Sequence, residues 1–168
     1  MNFLIQLEPG PNEIDDEAGS EFDLESEGSL QELAIVGCSE LERAGYIFRV
    51  EGFGRGVWPV DVRYDMATVI EQLPDLIKAL ELGQSTGLDF YAQGIETLIE
   101  FVPDGGTVVA RCRALYRVDE MPVVEELVYS ELLTQLRELA RVFVAEVSRL
   151  QPSLGQSAAL AELKNLAD

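Results

Sequence analysis

The chain has 168 residues, 47% of them hydrophobic, with 31 acidic and 12 basic side chains, a formal charge of −19 and no histidine. That length and apolar content suit one domain with a core of its own and are too rich for a disordered chain. The charge argues against nucleic acid and anionic lipid as partners, and the missing histidine removes the commonest proton-transfer group near neutral pH and the commonest metal ligand.

The first residues, Met1 to Glu8, carry no basic cluster and no long apolar run, so they do not read as a signal peptide. No stretch reaches the roughly 18 apolar residues of a membrane span. Two cysteines, Cys38 and Cys112, are too few for a secreted disulfide scaffold, so the expected compartment is the cytoplasm, with both thiols reduced. Residues 1–44 hold 12 acids and one base, and most of the charge excess therefore sits in the first quarter of the chain. An acidic, loop-rich segment is expected over residues 9–29, with at most a short edge strand at Phe22–Leu24. If charge recruits a partner, its carboxylates Glu13, Asp15, Asp16, Glu17, Glu21, Asp23, Glu25 and Glu27 are candidate contacts.

Three strands are expected next. The first is the apolar run Leu33–Val36, ended by Gly37. In the second, Tyr46, Phe48 and Val50 alternate with polar neighbours, and in the third Trp58, Val60, Val62 and Tyr64 do the same. Gly52-Phe53-Gly54-Arg55-Gly56 reads as the hairpin between the last two, leaving Arg49 and Asp61 outside and able to pair. A helix then starts from Asp65 as N-cap, carrying Val69, Ile70, Leu73, Ile77 and Leu80 on one face, with a kink or break at Pro74 and an end at Gly83.

Asp89-Phe90-Tyr91-Ala92-Gln93-Gly94 places two aromatics, an amide and a glycine together. It reads either as a core anchor followed by a turn at Gly94, or as a segment whose Tyr91 and Gln93 reach the surface to contact a partner. Alternation from Ile95 to Phe101 and from Val108 to Tyr116 predicts a hairpin about Asp104-Gly105. That turn puts Phe101 opposite Val108, Ile99 opposite Ala110 and Thr97 opposite Cys112 on the inner face, with Glu96 opposite Arg113 and Glu100 diagonal to Arg111 outside. The stripe Arg111, Arg113, Arg117 is accordingly a neutralised sheet face. A long helix capped by Ser130 follows, with an apolar stripe from Leu132 to Leu150 and glutamate–arginine pairs on its other faces. Leu160, Leu163 and Leu166 mark a short C-terminal helix over residues 157–167. The whole predicts a single α+β domain, mainly antiparallel sheet with helices packed on one face.

Catalytic chemistry is thin. Without histidine, neither Cys38 nor Cys112 has the usual base, and Cys112 falls on an inward-facing strand position. Asp15-Asp16-Glu17 and Glu21-Phe22-Asp23 offer oxygens but not the EF-hand spacing, so no metal is expected. Gly52-x-Gly54-x-Gly56 runs into Trp58-Pro59 rather than into a helix, which removes the amides a phosphate loop needs, and no cofactor is expected. Carboxylate pairs are conceivable among Asp61, Asp65, Asp89, Glu96 and Glu100, but no spacing selects one.

The run Trp58-Pro59-Val60-Asp61-Val62, the Leu73-Pro74-Asp75 helix and Asp89-Phe90-Tyr91-Ala92-Gln93-Gly94 resemble small bacterial immunity proteins, the cognate inhibitors of polymorphic toxins, across residues 46–150. The resemblance implies a cytoplasmic, acidic, non-catalytic protein that covers a toxin's active site or substrate groove, and it transfers no particular functional residue. The expectation is therefore a non-enzymatic binding protein for a basic partner such as a secreted nuclease-type toxin domain, with a housekeeping adaptor as the alternative.

Overall fold

A computed structural model of the chain describes residues 3–11, 28–91, 94–115 and 121–167. Ser29 starts the first helix, α1 (Leu30–Arg43): its hydroxyl accepts from the Glu32 N–H at 3.3 Å, and the Glu32 carboxylate accepts the Ser29 N–H at 2.9 Å. This reciprocal cap overturns the strand expected at Leu33–Val36. A four-residue apolar run fits either element, and here Leu33, Ala34, Gly37, Cys38 and Leu41 fall at helical spacing on one buried face.

Strand β2 (Tyr46–Glu51) forms as its alternation requires, with Tyr46, Phe48 and Val50 buried. Its partner is the N-terminal strand β1 (Leu4–Pro9), antiparallel with Ile5 opposite Val50 and Leu7 opposite Phe48. Sequence reading assigned no element there, because the strand pairs with one about forty residues away. Arg49 lies beside Glu8 at 3.7 Å and Glu51 rather than beside Asp61.

The third expected strand does not form. After a single bridge between Glu51 and Val57, the chain enters a π-helical turn, Val62–Met66, that leads into α2 (Ala67–Glu81). Trp58 and Val62 are buried, but Tyr64 is 60% exposed, which breaks the apparent alternation. Helix α2 continues through Pro74 as one element, its buried residues Val69, Ile70, Leu73, Ile77 and Leu80 matching the expected stripe.

A four-stranded antiparallel sheet follows, in the order β3 (Thr86–Phe90), β4 (Thr97–Asp104), β5 (Thr107–Ala114) and β6 (Val123–Val128). The β4–β5 turn is Gly105-Gly106, with Asp104 opposite Thr107. Phe101 therefore faces Ala110, Ile99 faces Cys112 and Thr97 faces Ala114, two residues away from the expected register. A shift of two preserves the faces, so the inward residues stay inward. It sets Glu100 directly opposite Arg111 and puts Arg113 opposite Leu98 instead of Glu96. Gly105 (φ 61) explains the choice, since a two-residue hairpin turn of this kind needs positive φ at its first central residue.

Helix α3 (Tyr129–Leu150) begins one residue before Ser130 and uses no side-chain cap. Instead Tyr129 donates its N–H to Gly106 O at 3.0 Å and its hydroxyl to Leu80 O at 2.9 Å, so tertiary contacts fix this helix start. The stripe Leu132, Leu133, Leu136, Leu139, Phe143, Val147 and Leu150 is buried throughout. Arg141 and Arg149 pair with Glu138 and Glu146 one turn away, whereas Arg137 reaches Glu81 of α2 at 2.6 Å. Exposed pairs of this kind contribute about 0.2–1 kcal/mol each, so burial holds the fold. A 3-10 turn at Leu154–Gln156 leads to α4 (Ala158–Ala167), whose Leu160 and Leu163 are buried in the shared core. The result is a single α+β domain, with four helices and two antiparallel sheets among the described residues. Among the described residues, no helix is long and apolar enough to cross a membrane.

Candidate functional site

The segment between Trp58 and α2 forms one wall of a cleft. Asp61 Oδ1 accepts the N–H groups of Tyr64 at 2.6 Å and Asp65 at 3.3 Å, while Asp65 Oδ2 accepts the Asp61 N–H at 2.9 Å. This is a reciprocal helix cap spread over four residues instead of three, and the extra residue is what a π turn inserts, seen in the Met66 N–H to Asp61 O bond of 3.2 Å. The wide turn swings Tyr64 outward and draws Asp65 inward.

Between this turn, α1 and the first turns of α2 lies a cleft of about 580 Å³. Ile35 from α1, Tyr64 from the turn and Tyr91 just after β3 line it, each of them 51–60% exposed. Asp61, Asp65 and Glu71 contribute carboxylates to the same lining, against one cation among the described residues, Arg63. The Arg63 guanidinium lies 5.3 Å from the centroid of the Tyr64 ring, within cation–π range.

Tyr91 is held in place from α2. Its hydroxyl donates a short hydrogen bond to Glu71, and that bond, followed by partial burial, pushes the phenol pKa up. Two residues earlier, Gln72 bridges α2 to the edge of β3, donating to Asp89 O and accepting from the Asp89 N–H, both at 2.9 Å. Asp65 is the least exposed residue of the lining at 4%, and its Oδ1 has no hydrogen-bond partner among the described residues. Burial raises its carboxyl above the usual range, opposed by the hydrogen bond from the Asp61 N–H and aided by the nearby Asp61 charge.

Of the residues expected to meet a partner, Tyr91 takes its place in this cleft. Glu13, Asp15, Asp16, Glu17, Glu21, Asp23, Glu25, Glu27 and Gln93 lie outside the described residues, as do Phe22–Leu24 and Arg117. In the Asp89–Gly94 segment Phe90 is fully buried against Trp58 and Gly94 turns with φ 101, as the core-anchor reading expects, while Tyr91 is half-exposed. Asp61 and Asp65 are brought together, whereas Asp89 sits at the β3 edge and Glu100 on the outer side of β4. Sequence reasoning missed Tyr64, Glu71 and Ile35 as site residues. The Asp61-x-x-x-Asp65 spacing was the available signal, but the alternation around it imitated a strand.

The glycine loop at residues 52–56 is fastened from inside. The Phe53 N–H donates to Glu125 Oε1 at 2.5 Å, Arg55 donates to Thr97 Oγ1 at 3.1 Å, and the Arg55 guanidinium lies 4.9 Å from the Trp58 ring centroid. A carboxylate therefore occupies the loop amide. Both cysteines are free and buried; burial pushes the Cys112 thiol up to about 11 and the Cys38 thiol higher still. No group of three or more potential ligand side chains that could hold a metal ion occurs among the described residues. In comparisons with known proteins, no protein-family model, curated protein or solved structure matches the chain.

Proposed function

We propose that this chain is a non-catalytic acidic binding protein that neutralises a basic partner, such as a nuclease-type toxin domain, by direct contact. The observation that carries this reading is the cleft itself, where Ile35, Tyr64 and Tyr91 stand half-exposed among the carboxylates of Asp61, Asp65 and Glu71. Aromatic side chains supply lifetime to an interface, because they bury large area with few rotatable bonds. The surrounding charge of −19 supplies encounter rate, because it attracts a cationic surface over a Debye length. An inhibitor needs no catalytic group of its own; it needs to arrive quickly and leave slowly.

The test is co-purification from the native cell, followed by titration of the purified partner's activity with this protein. A basic partner inhibited at one-to-one stoichiometry is expected, with an association rate that falls roughly tenfold or more between low and high salt. An acidic or neutral partner, or a partner whose activity survives saturation, would refute the proposal.

A further inference from the structure

We propose that the cleft is the receptor for an arginine side chain of the basic partner, seated against the exposed rings of Tyr64 and Tyr91 with its guanidinium turned to Asp61, Asp65 and Glu71. This rests on the binding reading above and names the chemistry that its central contact would recognise.

Four observations converge on it. The cleft, at about 580 Å³, is in the range of small-ligand sites and has room for one long side chain. Among the described residues its lining has three carboxylates against one guanidinium, so a desolvated cation is favoured and an anion is not. Asp65, 4% exposed, keeps a carboxylate oxygen without a hydrogen-bond partner among the described residues, an acceptor left over from the folded protein's own bonding. Arg63 already places a guanidinium 5.3 Å from the Tyr64 ring centroid, and it makes no ion pair among the described residues. That internal guanidinium shows that the ring can be occupied this way. Arginine fits better than lysine, because its planar group stacks on aromatic rings, meets carboxylates with two parallel N–H donors, and is less strongly hydrated than an ammonium.

The probe is N-acetyl-arginine amide, titrated into the intact protein and followed by amide chemical shifts, with N-acetyl-citrulline amide as the neutral analogue of the same shape. Saturable shifts around Tyr64, Asp65 and Tyr91 are expected for arginine, with citrulline at least about tenfold weaker. The Tyr64→Ala variant, which removes an exposed ring, should weaken arginine binding by about three- to tenfold while keeping a dispersed spectrum. Arg63→Ala should tighten it several-fold, because the internal competitor is gone, and a merely structural role for Arg63 would not do this. Equal binding of citrulline, shifts confined to other surfaces, or weaker binding in Arg63→Ala would overturn the proposal. A basic partner inhibited equally by wild type and Tyr64→Ala would also overturn it and leave the inhibitor reading standing. Arginine seated in the cleft with no basic protein bound or inhibited would remove the inhibitor reading alone.

Discussion

Gln72 is the joint between the second helix and the open edge of the four-stranded sheet, and Gln72→Ala tests how much of the site that joint holds. Among the described residues strand β3 is terminal in the sheet, and no described strand pairs with the Asp89 N–H and C=O that point away from β4. The Gln72 amide takes the place of that strand, with two bonds of 2.9 Å to Asp89 and a third of 2.7 Å to Thr68 O. Each bond contributes about 0.5–1.5 kcal/mol net, and stranding partly buried backbone groups adds to the loss, so Gln72→Ala should cost about 2–3 kcal/mol. For a chain of this size that corresponds to a fall in Tm of about 4–12 °C. Gln72→Glu sharpens the test. It keeps an acceptor for the Asp89 N–H but sets a negative charge against two carbonyl oxygens. It should be at least as unstable as Gln72→Ala near pH 7 and recover part of the loss as the pH falls towards about 4.3, the ordinary glutamate value, and the carboxyl regains a donor. Urea unfolding gives the free energy, and hydrogen exchange at the Asp89 amide reports the joint directly. Because Tyr91 lies two residues beyond Asp89, loosening the joint should also broaden the Tyr91 resonances. A Gln72→Ala protein within about 0.5 kcal/mol of wild type, with unchanged exchange at Asp89, would refute the reasoning.

Three further outcomes follow from other parts of the molecule. A Cβ at Gly37 would lie 2.9 Å from Phe143 Cζ and 3.0 Å from Val147 Cγ2, so Gly37→Val should overpack the α1–α3 contact and lose about 2 kcal/mol or more in urea unfolding; wild-type stability would mean the helices part easily. The raised carboxyl pKa of Asp65 means the folded protein holds this proton more tightly than the unfolded chain, so its contribution is most favourable below the ordinary value near 3.8 and declines as pH rises through the folded value. Asp65→Asn keeps an acceptor for the Asp61 N–H and removes that decline, so its stability relative to wild type should improve from pH 3.5 to pH 7; a constant or shrinking difference in paired unfolding curves would contradict the assignment. Cys38 and Cys112, both buried with raised thiol pKa values, should resist alkylation at pH 8 in the folded protein and react fully in denaturant; fast labelling of either without denaturant would show that its site opens.

The faces of the elements could be read before the fold was known. The stripe of α3, the alternation of β2 and the inward sets of β4 and β5 were legible because a period of 3.6 or 2 states which side of an element is apolar, whatever it packs against. The charge of −19 and the lack of histidine, which frame the functional reading, were also explicit from the start. Of the candidate site, Tyr91 was named as a partner contact and Asp61 and Asp65 only within a set of carboxylates from which no spacing selected a pair; all three line the cleft. Tertiary structure decided the remainder. Leu33–Val36 became helix because Ser29 and Glu32 cap it and Phe143 and Val147 of α3 meet it at Gly37. The Trp58–Tyr64 alternation gave way to a π turn, because Asp61 and Asp65 satisfy each other's backbone amides and Tyr64 is better left in solvent. The strand β1 exists only with β2 beside it, and the cleft only where α1, the π turn and Tyr91 meet. Local periodicity fixes what an element would bury, but a short run of four to seven residues satisfies more than one period. The choice falls to hydrogen-bond partners and packing surfaces that are distant in sequence, and these exist only once the chain has folded.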